Sequence, residues 1–75
     1  MNKERRKRLN DAMIKLADLT EEIRGIADEE QDYFDNMPEN LQNSERGEKP
    51  SEMAENLSMV ADDLENAVDT LQNLE

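Results

Sequence analysis

Apolar residues return at heptad spacing in two separate blocks of this chain, and that repeat limits what it can fold into more than any other feature. With Leu9 at position a, the first block places Leu9, Ala12, Leu16, Leu19, Ile23, Ile26, Glu30 and Tyr33 along a and d, apolar everywhere but Glu30. Met13, Thr20, Ala27 and Phe34 fall at e and widen the stripe. In the second block, Leu57 at a gives Met53, Leu57, Val60, Leu64, Ala67, Leu71 and Leu74 along a and d, with Ala54, Ala61 and Val68 at e. Polar residues fill b, c and f almost throughout; Ile14 at f and Met59 at c face away from the stripe. Each block is therefore an amphipathic helix whose apolar face is broader than a two-stranded coiled-coil seam. A disordered acidic chain holds no such period.

The stretch between the blocks is punctuated. Pro38 pushes Met37 out of helical geometry and suits the first turn of a new helix. Asn36 with Glu39 three residues later has the spacing of a capping box. Gly47 is placed to end a short helix in left-handed geometry, and Ser51 after Pro50 is a good N-cap for the last one. The expected plan for residues 1–75 is one all-α domain, with a helix near 3–33, a short helix near 38–46 and a helix near 51–73. At ~1.5 Å per residue the long helices reach roughly 45 Å and 35 Å. Gly25, at c inside the first helix, costs about 1 kcal/mol against alanine and marks a bend, a close approach by a partner, or nothing.

Charge favours folding the two helices back on each other. The net charge of −11 divides into +4 over residues 1–8 (five cations, Lys3, Arg5, Arg6, Lys7 and Arg8, against Glu4) and −15 over residues 9–75. Alone, the first helix opposes its own macrodipole, with cations at its start and Asp28, Glu29, Glu30 and Asp32 at its end. An antiparallel hairpin brings Asp69 and Glu75 toward the basic start, and Arg46 and Lys49 toward the acidic end. Such exposed pairs contribute about 0–1 kcal/mol each and guide register more than they stabilise. A hairpin cannot enclose a stripe using a, d and e on both helices, so association is expected. The cheapest closure is a twofold four-helix bundle, although a higher oligomer or a different protein would hide the same surface. Leu9, Leu16, Leu19, Ile23, Ile26, Leu57, Val60, Leu64 and Leu71 are the expected oligomer core.

Composition removes most chemistry. With no His and no Cys there is no imidazole base, thiolate nucleophile, disulfide or zinc finger. The acids Asp28, Glu29, Glu30, Asp32 and Asp35 lack the spacing of a calcium loop, and nothing sets one carboxylate apart as an acid and another as a base. No cofactor, metal or enzymatic activity is expected. An acidic body disfavours nucleic acid and anionic membranes. Leu9-Asn10-Asp11 interrupts the apolar region a signal peptide would need, so the default expectation is a soluble protein of the cytoplasm. The features left for binding gather at one end of the hairpin. Tyr33 and Phe34, the only aromatics, either plug that end or form a contact platform, and Asn36, Asn40, Gln42, Asn43 and Ser44 add hydrogen-bonding groups. Arg46 either pairs with Glu30 to anchor the short helix or, with Lys49 and Arg24, clamps an anion.

The run Tyr33-Phe34-Asp35-Asn36-Met37-Pro38-Glu39-Asn40-Leu41-Gln42-Asn43-Ser44-Glu45-Arg46-Gly47, followed by an acidic helix, resembles small uncharacterised helical proteins of bacteriophages and prophages. The resemblance covers residues from about 28 to 74 and leaves out the basic N-terminal segment. It implies a mobile-element origin and a helical fold, and it brings no catalytic residues. The leading expectation it supports is a non-enzymatic interaction protein that binds and modulates a host protein, for example a defence component, as an oligomeric bundle. The alternatives are a sponge for an anionic signalling nucleotide near Arg46, an acidic DNA mimic, and a plain assembly scaffold.

Overall fold

The computed structural model describes residues 1–74 and contains three helices, α1 (Lys3–Asp35), α2 (Glu39–Gln42) and α3 (Glu45–Gln72). Helix α1 begins where the Asn2 side chain accepts a hydrogen bond from the Arg5 backbone N–H at 2.8 Å. It ends at Asn36, whose N–H donates to the Asp32 carbonyl at 3.0 Å. Asn36 is thus the C-cap of α1, not half of a capping box for α2, and Pro38 precedes α2 with no side-chain cap.

The connection departs most from expectation. The short helix is a single turn, and the chain breaks at Asn43–Ser44 rather than at Gly47–Ser51. Ser44 is extended (φ −108°, ψ 176°), accepts from the Arg46 N–H at 3.3 Å, and donates its hydroxyl to the Leu41 carbonyl at 2.6 Å. This one side chain ends α2 and starts α3, so Ser51 has no capping role. Gly47 sits in the first turn of α3 without positive φ. Its reason for being glycine is space, because a Cβ there would lie 2.5 Å from the Gln42 carbonyl oxygen and 2.6 Å from the Gln42 Cα. Pro50 lies inside α3 and is buried. Proline there removes one helical hydrogen bond, the one its N–H would make to the Arg46 carbonyl. Close to the helix start that loss is tolerated, and it does not terminate the helix.

Helices α1 and α3 pack along each other as an antiparallel hairpin. Heptad positions a and e face the partner helix. Thr20 and Ala27 of α1 and Ala54 and Ala61 of α3 are buried, while Leu9, Met13, Leu16, Ile23, Phe34, Leu57, Leu64, Val68 and Leu71 are half-buried. Small side chains at e let the backbones approach, and the larger residues at a close over one edge of the seam. Among the described residues no large side chain is fully buried. Thr20, in the seam, satisfies its hydroxyl by donating to the Leu16 carbonyl at 2.7 Å.

The molecule measures 58 × 14 × 13 Å. Its radius of gyration is 17.2 Å, where a compact domain of this length would have about 11 Å. Its accessible surface of 6015 Å² compares with the roughly 4,700 Å² of a compact monomer of this size. The hairpin has a seam but no enclosed core.

Candidate interaction surface

With a and e turned toward the seam, position d of both helices is left outside. In α1 the d positions are Ala12, Leu19, Ile26 and Tyr33, and in α3 they are Met53, Val60, Ala67 and Leu74. All of them are exposed, with Tyr33 at 62%, Leu19 at 53%, Met53 at 52% and Ile26 and Val60 at 45%. In an antiparallel pair the same heptad position falls on the same side of both helices. The two d columns therefore run side by side over one face, with the half-buried a residues between them. The closed end confirms this placement, since Ile26, Tyr33 and Met53 line one recess together with Glu30, Arg46, Lys49, Pro50 and Leu57.

The opposite face is acidic. Glu21, Glu65 and Asp69 line a recess there beside Ala17, Thr20 and Val68. Arg24 crosses the hairpin on this side, reaching Asp62 Oδ1 at 3.0 Å and Glu65 Oε2 at 2.9 Å. Its pKa is raised above the ordinary value, first by the hydrogen bond to Asp62 and then by that to Glu65, so it is a cation at every working pH. Arg24 is a strut between helices and takes no part in an anion clamp at the closed end. The ion pairing expected at the hairpin ends is displaced in the same way. Asp69 stands level with Ala17–Glu21 and far from Lys3–Arg8, because α1 outreaches α3 at the open end. Glu75, the other acid assigned to that pairing, lies outside the described residues.

The residues singled out near the closed end divide into three groups. Gln42 is structural, its Nε2 donating to the Phe34 carbonyl at 2.9 Å and the Asp35 carbonyl at 3.3 Å, which ties α2 to the end of α1. Ser44 is the cap described above, and Phe34 is half-buried beside Gln42 and Gly47. Asn36 and Asn40 are exposed, Asn36 through its role as C-cap and Asn40 on the outside of α2. Tyr33, Arg46 and Lys49 are exposed and share the recess with Glu30. No ion pair within 4 Å joins Glu30 to Arg46 among the described residues, so the short helix is anchored by Gln42 and Ser44 instead. Both basic side chains start on α3 and solvate their charge in water, which costs less than ordering two long side chains into one exposed pair.

Two features of this surface were absent from the sequence reading. One is the division of the broad stripe into an inner a/e seam and an outer d column, for which the small residues Thr20, Ala27, Ala54 and Ala61 at e were the available signal. The other is the Arg24 bridge, signalled only by the last cation of α1 and the acids Asp62 and Glu65 across from it. Among the described residues no three acids are grouped so as to hold a metal ion, and no helix is long and apolar enough to cross a membrane. No protein-family model, curated protein or solved structure matches this chain.

Proposed function

We propose that this chain is a non-enzymatic protein-binding module, a helical hairpin that associates through its d face and presents its polar closed end to a further protein. The exposed d column carries the reading, since Leu19, Ile26, Tyr33, Met53 and Val60 form one continuous apolar stripe rather than scattered contacts. Scattered apolar residues are ordinary on a protein surface, whereas a contiguous face marks an association site. The resemblance of residues 28–74 to phage proteins supports a host protein as the further partner, met in the cytoplasm of an infected cell. Sedimentation velocity tests the core of the proposal. The wild-type chain is expected to sediment as an oligomer, and Leu19→Asp with Ile26→Asp as a monomer of lower helix content. A monomeric wild type at 100 µM (about the upper end of ordinary working concentrations) would overturn it.

One observation favours a second reading, a sponge for an anionic signalling nucleotide. The recess at the closed end places Arg46 and Lys49 beside the Tyr33 ring, a charge and a stacking surface together. Glu30 in the same recess opposes an anion. Calorimetry with cyclic dinucleotides separates the readings, since this one requires heat of binding that Arg46→Ala abolishes, while the association reading requires none.

A further inference from the structure

We propose that the d column of α1 is closed by the same column of a second copy of this chain lying antiparallel, so that the closed end of each hairpin covers the basic start of the other. This rests on the reading of the d face as an association surface and adds the occupant and its orientation.

The charge pattern along the edge of that face selects the arrangement. Position g of α1, flanking the d column on its outer side, is occupied by Arg8, Lys15, Glu22 and Glu29, all exposed. Two cations are followed by two anions at equal spacing. Such a column complements its own copy only when the copy runs in the opposite direction. A twofold axis crossing α1 near Leu19 sets Arg8 opposite Glu29 of the second copy and Lys15 opposite its Glu22. The same axis sets Leu19 against Leu19, Ala12 against Ile26, and Arg5 against the ring of Tyr33. Small faces large and a cation faces an aromatic, which are compatible neighbours. That axis also falls at the middle of Lys3–Asp35, so the two copies of α1 overlap along their whole length.

The alternative twofold runs along the hairpin's length and lays α1 of one copy over α3 of the other. The Arg24–Asp62 bridge fixes the level of the two helices, and at that level Glu22 would meet Asp63. This arrangement also stacks the two closed ends. Residues 28–55 hold ten acids against Arg46 and Lys49, a net of −8, whereas residues 1–8 carry +4. Like ends repel and unlike ends attract, so the antiparallel arrangement is favoured along α1, while the two copies of α3 meet only near their C-terminal ends.

The test combines a cross-link with a charge exchange on the full chain. The protein has no cysteine, so Leu19→Cys introduces the only thiol. Near-complete disulfide-linked dimer on mild oxidation is expected, because the axis passes beside that residue. Arg8→Glu with Lys15→Glu makes the g column wholly acidic and is expected to weaken the dimer about tenfold or more. Adding Glu22→Lys and Glu29→Lys reverses the whole column, restores its self-complementarity, and is expected to recover the wild-type dissociation constant within a few-fold. The recovery separates orientation from misfolding. A dimer that forms no Leu19→Cys cross-link, or whose affinity ignores both charge sets, overturns the antiparallel closure while leaving association through the d face in place. A monomeric wild type overturns both.

Discussion

Two glycines carry opposite meanings, and their neighbours decide which. Gly25 has nothing within 4 Å of where a Cβ would stand, so alanine there should add stability of about 1 kcal/mol through helix propensity alone. Gly47 faces backbone atoms of Leu41 and Gln42 that cannot move aside without unwinding α2. Gly47→Ala is expected to cost about 1–3 kcal/mol, the usual range for overpacking, and to loosen the closed end. Urea denaturation of the two variants at equal protein concentration checks both signs. The spacing marked Gly25 as a glycine inside a helix and Gly47 as the left-handed end of a short one, and the second expectation fails because Gly47 lies in the first turn of α3 without positive φ. Propensity treats both glycines alike, and only the packing of α2 against α3 sets them apart.

At the scale of the elements, the corner between α2 and α3 depends on a single hydroxyl. Ser44 donates to Leu41 and accepts from Arg46, and no other side chain caps either end there. Ser44→Ala should lower stability by about 1 kcal/mol, within the range for loss of an N-cap, and amide exchange should speed up first over Glu45–Glu48. Uniform exchange along α3 in that variant would show that the cap is dispensable. The two long helices were legible from periodicity because their apolar positions recur over four heptads. Their junction was not, since Pro38, Gly47 and Pro50 each admit two local geometries. Pro50 at a helix start and Pro50 one turn and a half inside the helix differ by one hydrogen bond, and in the fold the residue is buried inside α3. The capping-box spacing of Asn36 and Glu39 was equally ambiguous, because Asn36 serves a preceding helix as well as a following one.

For the whole molecule, the absence of a closed core has a measurable consequence. A 58 Å hairpin whose fully buried side chains are three alanines and a threonine, beside Gly47 and Pro50 at the corner, gains little from its own seam. On the proposed association, most of its stability comes from the second copy, and its melting temperature is expected to rise with protein concentration. Each tenfold increase in concentration adds about 1.4 kcal/mol to a coupled dimer. Thermal melts followed by circular dichroism between 5 and 500 µM (roughly two decades) check this, and a melting temperature that stays constant would show that the hairpin folds on its own. The Leu19→Asp, Ile26→Asp variant should lose the concentration dependence together with the oligomer. Salt should weaken the dimer modestly, because the g-column pairs lie at the rim of the face.

The sequence by itself determined that this chain is helical, that its two long helices are amphipathic, and that their apolar stripe is too wide for one hairpin to cover. Those properties follow from local spacing, which survives in any packing. It also showed where the cations and anions lie along the chain. Only the tertiary structure decided which part of the stripe each helix gives to the other. The answer came from small residues at e, since Thr20, Ala27, Ala54 and Ala61 permit an approach that the larger d residues would block. Once a and e had turned inward, Leu19, Ile26, Tyr33, Met53 and Val60 were left together on one face. That face exists because of how two helices meet, and neither helix contains it alone.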